Sequence, residues 1–178
     1  MLGVENLSNP DIDLVFATPS AVEQTIGSGY QACHNAITNT SLIAVVLSLG
    51  LESYSQLNNF SMGPRAAIPR APVPNQVGSP SIFGEFSSLT RAARLASNAM
   101  NALDDLREAD VSLDDGVLGS VEQDLRARAF GFFVVGCHQG WLAMLYDSPA
   151  GLKPGLHADS VPPLSGYQAV MDTAIQMF

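Results

Sequence analysis

The sequence predicts an all-α protein, five helices in pairs joined by two long loops. Three observations carry this. Apolar residues recur at steps of three and four in separate segments, the spacing of one helical face. Capping residues stand at the heads of those segments, and proline-rich stretches divide them. No run of strand-like alternation competes.

The longest segment, residues 120–146, organises the rest. Ser120 and Gln123 have the spacing of a capping box, and Glu122 and Asp124 fall in the first turn, where the helix dipole favours negative charge. Phe130, Val134, Cys137, Trp141 and Met144 or Leu145 follow as the expected core face. Such a helix is about 40 Å long. Residues 129–146 hold no Asp, Glu, Lys or Arg, and Gly136 and Gly140 match a membrane dimerisation spacing. A bilayer span would bury His138 and Gln139 in mid-membrane, and basic flanks (Arg126, Arg128) stand on one side only. The segment therefore reads as a central buried helix, with its glycines as close-packing notches and Trp141 as a core anchor rather than a sugar-stacking platform.

The other elements follow in order. Residues 1–18 form an extended lead-in with a turn at Asn9-Pro10. Thr18-Pro19 supplies a cap and a first-turn proline for a helix over 19–35, with Val22, Ile26 and Tyr30 or Gln31 on one side. Residues 42–54 are apolar and nearly continuous, a second buried helix too short to cross a bilayer. Residues 58–84 carry Pro64, Pro69, Pro72, Pro74 and Pro80 and read as a long, structured, functional loop. Helix returns over 85–109, with Phe86, Leu89, Ala93, Ala96, Met100, Leu103 and Leu106 as its stripe. The acidic connector 108–116 fails the calcium-loop register, because Val111 and Leu113 fall where carboxylates are needed. A proline- and glycine-rich loop follows residue 146. A last helix capped by Ser165 then presents Tyr167, Val170, Met171, Ala174 and Phe178, its apolar face unfinished at the end of the chain.

Composition narrows the function. An apolar share of 47% against 14% charged residues excludes disorder and allows a sizeable core in one domain spanning residues 1–178. The net charge is −9 and Lys153 is the sole lysine, so nucleic acid and anionic membranes are not expected partners. Cys33-His34 and Cys137-His138 resemble metal pairs, but helix neighbours point about 100° apart and do not converge on one site. The cysteines read as buried free thiols or as one bridge between packed helices. No Ser, His, zinc or phosphate-loop signature is present, and His34, His138 and His157 lack acidic partners nearby in sequence. No catalytic residue, metal or cofactor is expected. The opening MLGVENLSNPD lacks the pattern of a secretory signal, which fits either a cytoplasmic protein or the mature part of an exported one.

The order of these features resembles the N-terminal part of the SusD/RagB family of outer-membrane nutrient-binding lipoproteins. The residues that carry it are Asn9-Pro10, Thr18-Pro19-Ser20-Ala21-Val22-Glu23, and Glu52-Ser53-Tyr54 leading to Asn58-Asn59-Phe60-Ser61-Met62. The strongest part is Arg126-Ala127-Arg128-Ala129-Phe130 followed by Gly140-Trp141-Leu142-Ala143-Met144-Leu145-Tyr146-Asp147, with Tyr167 to Ile175 fitting the next helix. The resemblance implies tetratricopeptide-like helix pairs. It also implies exposure at the bacterial cell surface and delivery of oligosaccharides or other nutrients to a SusC-like TonB-dependent transporter. Family members are much longer than this chain, and their lipid-bearing cysteine is not seen in it.

The expectation is thus a non-enzymatic nutrient-binding and delivery protein. Its ligand contacts are expected at Asn58, Asn59, Phe60, Met62 and Arg65, where an aromatic ring, a thioether and polar groups cluster in one loop. The alternative is a helical scaffold or assembly subunit that works through protein–protein contacts alone, self-assembling through its last helix.

Overall fold

The structure, a computed structural model, describes residues 18–38, 80–109, 116–156 and 160–178. The expected helix over 42–54, most of the lead-in and of the loop over 58–84, most of the acidic connector and His157 lie outside the described residues. The described part is all-α: α1 (Pro19–Thr38), α2 (Pro80–Ala109), α3 (Val121–Leu145) and α4 (Tyr167–Ile175). A single antiparallel bridge, Ala150 with Leu164, is the only extended pairing among the described residues.

Contacts along α3 fix the directions of its neighbours. From the N-terminal end onward, Arg128 pairs with Asp104, Gly131 meets Met100 and Tyr146 meets Phe86, so α2 runs antiparallel to α3. Arg126 pairs with Glu23 and Phe133 with Tyr30, so α1 runs parallel to it. Gly136 touches Ala174 and Tyr167 starts beside Asp147, so α4 returns antiparallel. Val22 and Ile26 of α1, Ala96, Ala99, Met100 and Leu103 of α2, and Ala127, Val134 and Val135 of α3 share one buried cluster, with Met177 packed on it.

Several boundaries differ from expectation. α1 does not stop at Asn35 but reaches Thr38, whose hydroxyl donates to the His34 carbonyl at 2.8 Å and so satisfies the final turn. α2 begins at Pro80 rather than at residue 85, which shortens the loop predicted for 58–84. A proline in the first turn removes an N–H that no intrahelical bond would use. α4 is preceded by Gly166 rather than Ser165, and no side chain caps its first turn; the Ser165 N–H instead bonds the Pro149 carbonyl. It ends at Ile175, short of the C-terminus.

The face of α3 is also rotated from the expected one. Its buried residues are Asp124, Ala127, Gly131, Val134, Val135, Gly136, His138, Gln139, Leu142 and Ala143. Phe130 and Met144 are exposed, and Trp141 is half-buried rather than a core anchor. Small residues win this face because they let neighbouring helices come close. A methyl group at Gly131 would lie 2.5 Å from the Met100 sulfur, and one at Gly136 would sit 3.2 Å from Ala174, Met177 and Phe178. Gly140, by contrast, has open space around it and is no notch. No described helix is long and apolar enough to cross a membrane.

Candidate functional site

Asn58, Asn59, Phe60, Met62 and Arg65 lie outside the described residues, so the structure neither gathers nor separates them. The described residues form a different candidate, an open groove of about 510 Å³ between the end of α3 and the start of α4. That volume falls within the range of small-ligand sites, roughly 300–1,000 Å³.

The groove exists because of how the chain turns between these helices. Tyr146 ends α3, its N–H bonded to the Leu142 carbonyl at 3.0 Å. The chain then folds back on itself: Gly151 N–H meets the Pro163 carbonyl at 3.1 Å, Ser165 N–H the Pro149 carbonyl at 3.0 Å, and Tyr167 N–H the Asp147 carbonyl at 3.0 Å. The far side of this loop is fastened to α2. Asn101 donates to the Leu156 carbonyl at 3.0 Å and accepts from the Gly155 N–H at 2.9 Å, while Arg94 holds the Ser160 carbonyl. From below, the buried Gln139 side chain accepts the Leu152 N–H at 3.3 Å. The loop between α3 and α4 is therefore braced on two sides, and the groove walls are set by rigid elements.

Two tyrosines (Tyr146, Tyr167), two methionines (Met144, Met171), two aspartates (Asp147, Asp172) and Gln168 line the groove. Among the described residues no lysine or arginine lines it, so the described lining offers nothing to neutralise a phosphate or carboxylate. It offers ring faces for stacking and carboxylate and amide oxygens that accept hydrogen bonds from hydroxyl or amine groups. Tyr146 is held edge-on by Phe86 of α2 with ring centroids 5.1 Å apart, whereas Tyr167 stands half-exposed at the rim.

Two buried polar groups, His138 and Asp124, are placed for structure. His138 is wholly buried. Its Nδ1 lies 2.6 Å from the Val134 carbonyl oxygen, and its Nε2 has no hydrogen-bond partner among the described residues. Burial lowers its pKa, and the Val134 bond opposes this only in part. A ring with no access to solvent does not exchange protons with a ligand. Asp124, read from the sequence as a first-turn charge, is buried and does more. Its two carboxylate oxygens accept the Val117 and Leu118 N–H groups, each at 2.8 Å, while Ser120 caps the helix by accepting from Gln123 N–H at 3.2 Å. Among the described residues, no group of three or more His, Cys, Asp or Glu is arranged to hold a metal.

A second surface feature is aromatic. Tyr30, Phe130, Phe133 and Phe178 pack in series with ring centroids about 6 Å apart, and all four remain exposed. Comparison with protein-family models, with curated proteins and with solved structures finds no match to this chain.

The sequence contained one signal for the groove, Tyr146-Asp147 at a helix end and Tyr167 at the next helix start. Antiparallel neighbours bring such positions together. The spacing does not say that the intervening loop will fold away from them.

Proposed function

We propose that this chain is the helical scaffold of a non-enzymatic, surface-exposed nutrient-binding and delivery protein of the SusD/RagB kind. Its helices are tetratricopeptide-like pairs, its ligand is a neutral oligosaccharide, and its partner is a SusC-like TonB-dependent transporter in the bacterial outer membrane. The observation that carries the ligand class is the groove lining, in which tyrosine rings and carboxylate and amide acceptors occur without a cation among the described residues. Sugars present C–H faces that stack on aromatic rings and hydroxyls that donate to such acceptors, so this chemistry suits them. Loop residues Asn58, Asn59, Phe60, Met62 and Arg65 are the second proposed contact. A screen of the chain against an array of neutral and acidic glycans, followed by calorimetry on any hit, tests the reading. Neutral oligosaccharides are expected to bind and acidic ones to bind more weakly. Absence of binding to every glycan would overturn it.

A second reading rests on the exposed aromatic series Tyr30, Phe130, Phe133 and Phe178. Exposed, contiguous aromatic surface is the composition of protein interfaces. In this reading the chain is an assembly subunit acting through protein–protein contacts alone. Light scattering at increasing concentration, combined with a failed glycan screen, would favour it over the first.

A further inference from the structure

We infer that Cys33 and Cys137, the only cysteines of the chain, form an intramolecular disulfide that locks α1 against α3 when the protein meets a disulfide oxidant. The register of the two helices brings the cysteines together. α1 and α3 run parallel, and their contacts advance together along both helices. Glu23 faces Arg126, Gly29 faces Val134, and Tyr30 faces Phe130 and Phe133. One turn further on, the same pairing puts Cys33 alongside Cys137, and the two thiols interact directly. Gly29 is what permits this closeness. A methyl group there would stand 2.9 Å from a Val134 methyl, so the helices meet at a glycine one turn before the cysteines.

The pair is asymmetric, which sets the order of events. Cys33 is only 2% exposed, whereas Cys137 is half-buried and open on one side. Burial pushes the Cys33 thiol up to about 12, with Cys137 adding to the rise. Burial raises Cys137 too, but the neighbouring Cys33 thiol pulls it part of the way back. Cys137 is therefore the first nucleophile. As a thiolate it attacks one sulfur of an external disulfide such as oxidised glutathione, forming a mixed disulfide and expelling one glutathione thiolate, which takes up a proton. The Cys33 thiol then gives its proton to solvent and attacks the Cys137 sulfur, expelling the second glutathione. Two protein S–H bonds become one S–S bond, and the oxidant leaves as two thiols. Because both thiols hold their protons tightly, the reaction is slow at neutral pH and accelerates as pH rises.

The link closes a long loop and joins two helices already in contact, so it stabilises without rearranging them. A rise of roughly 5–10 °C in Tm is expected for a crosslink of this kind in a chain this size. The test uses the whole chain. It is incubated folded with oxidised glutathione at pH 8.5, then analysed by intact mass, thiol titration, peptide mapping and a thermal scan. The expected result is loss of both thiols and of two hydrogens from the monomer, a mapped 33–137 link, and a raised Tm that a reductant reverses. Cys33→Ala and Cys137→Ser are each expected to lose the shift, with only the former retaining a glutathione adduct. Two results would overturn the inference: both thiols still titratable after prolonged oxidation, or only glutathione adducts and intermolecular dimers in the wild-type chain. The wild-type mass reading decides the matter even where a variant fails to fold.

Discussion

The two ends of α3 are finished in opposite ways. At the N-terminal end side chains satisfy the backbone. Asp124 holds the Val117 and Leu118 N–H groups, Ser120 holds Gln123, and Gly116 makes the turn at φ +93°. At the C-terminal end the turn itself is closed backbone to backbone, through Tyr146, Gly151, Ser165 and Tyr167 N–H groups bonded to carbonyls, while Gln139, Asn101 and Arg94 brace the loop further out. The first arrangement consumes polar side chains in holding the fold. The second leaves tyrosines, aspartates and a glutamine lining a groove. Where a helix end is closed by backbone pairing, its side chains remain available for a ligand.

The largest effect is expected at the closed end. Asp124→Ala removes a buried carboxylate that accepts two backbone N–H groups, one of them buried. Charge-assisted bonds of this kind and the stranded donors together are worth about 3 kcal/mol, to be read as a lowered urea midpoint. An unchanged midpoint would mean that the two ends are not built differently.

Next come the glycines of α3, which test why small residues and not large ones face the core. Gly131→Ala drives a methyl group into Met100 and is expected to destabilise by about 1–2 kcal/mol, since the flexible Met100 can give way in part. Gly140→Ala meets nothing and is expected to stabilise by roughly 0.5–1 kcal/mol through helix propensity. Thermal scans of the two variants should therefore move in opposite directions.

That contrast shows what the sequence made legible. Helix positions followed from three- and four-residue spacing and from the caps at Thr18 and Ser120, both of which accept the expected backbone N–H. The stripe of α2 also holds, with Leu89, Ala93, Ala96, Met100 and Leu103 buried. The rotation of α3 was not legible. Phe130, Trp141 and Met144 are the large apolar residues, and size suggested the core. Packing instead chose the side carrying Ala127, Gly131 and Gly136, because close helix approach there buries Met100 and Val134 on the neighbours' side chains. His138 and Gln139 were carried inside by the same rotation. The groove was illegible for a different reason: it depends on residues before and after a loop lining one space, and the path of that loop is set by its backbone pairs and by the bracing at Asn101, Arg94 and Gln139.

A smaller effect separates buried histidine from surface charge. Burial lowers the His138 pKa in the folded chain, so the folded state resists a proton that the unfolded state accepts. Stability is then fully present above pH 6.5 and falls as pH drops below it, by at most about 1.4 kcal/mol per pH unit for one proton. Cys33 acts at the other extreme. Its raised value keeps the folded thiol protonated while the unfolded one ionises, so the reduced protein loses stability as pH rises from 9 towards 12. Urea titrations across both windows check these slopes, and His138→Gln should flatten the acidic one.

The smallest expected effect on stability lies at the open end. Tyr167→Ala, at a half-exposed position, should change the unfolding free energy read from urea titration by less than about 0.5 kcal/mol. Its effect should appear in ligand binding instead.

The open end of α3 is the proposed ligand site. Amide chemical-shift mapping of the isotope-labelled chain, titrated with the best oligosaccharide from the glycan screen, tests it most directly. The largest shifts are expected at Met144, Asp147, Tyr167, Gln168 and Asp172, with their loss in Tyr167→Ala. Shifts confined to the Tyr30–Phe133–Phe178 surface, or to residues 58–65 alone, would contradict it.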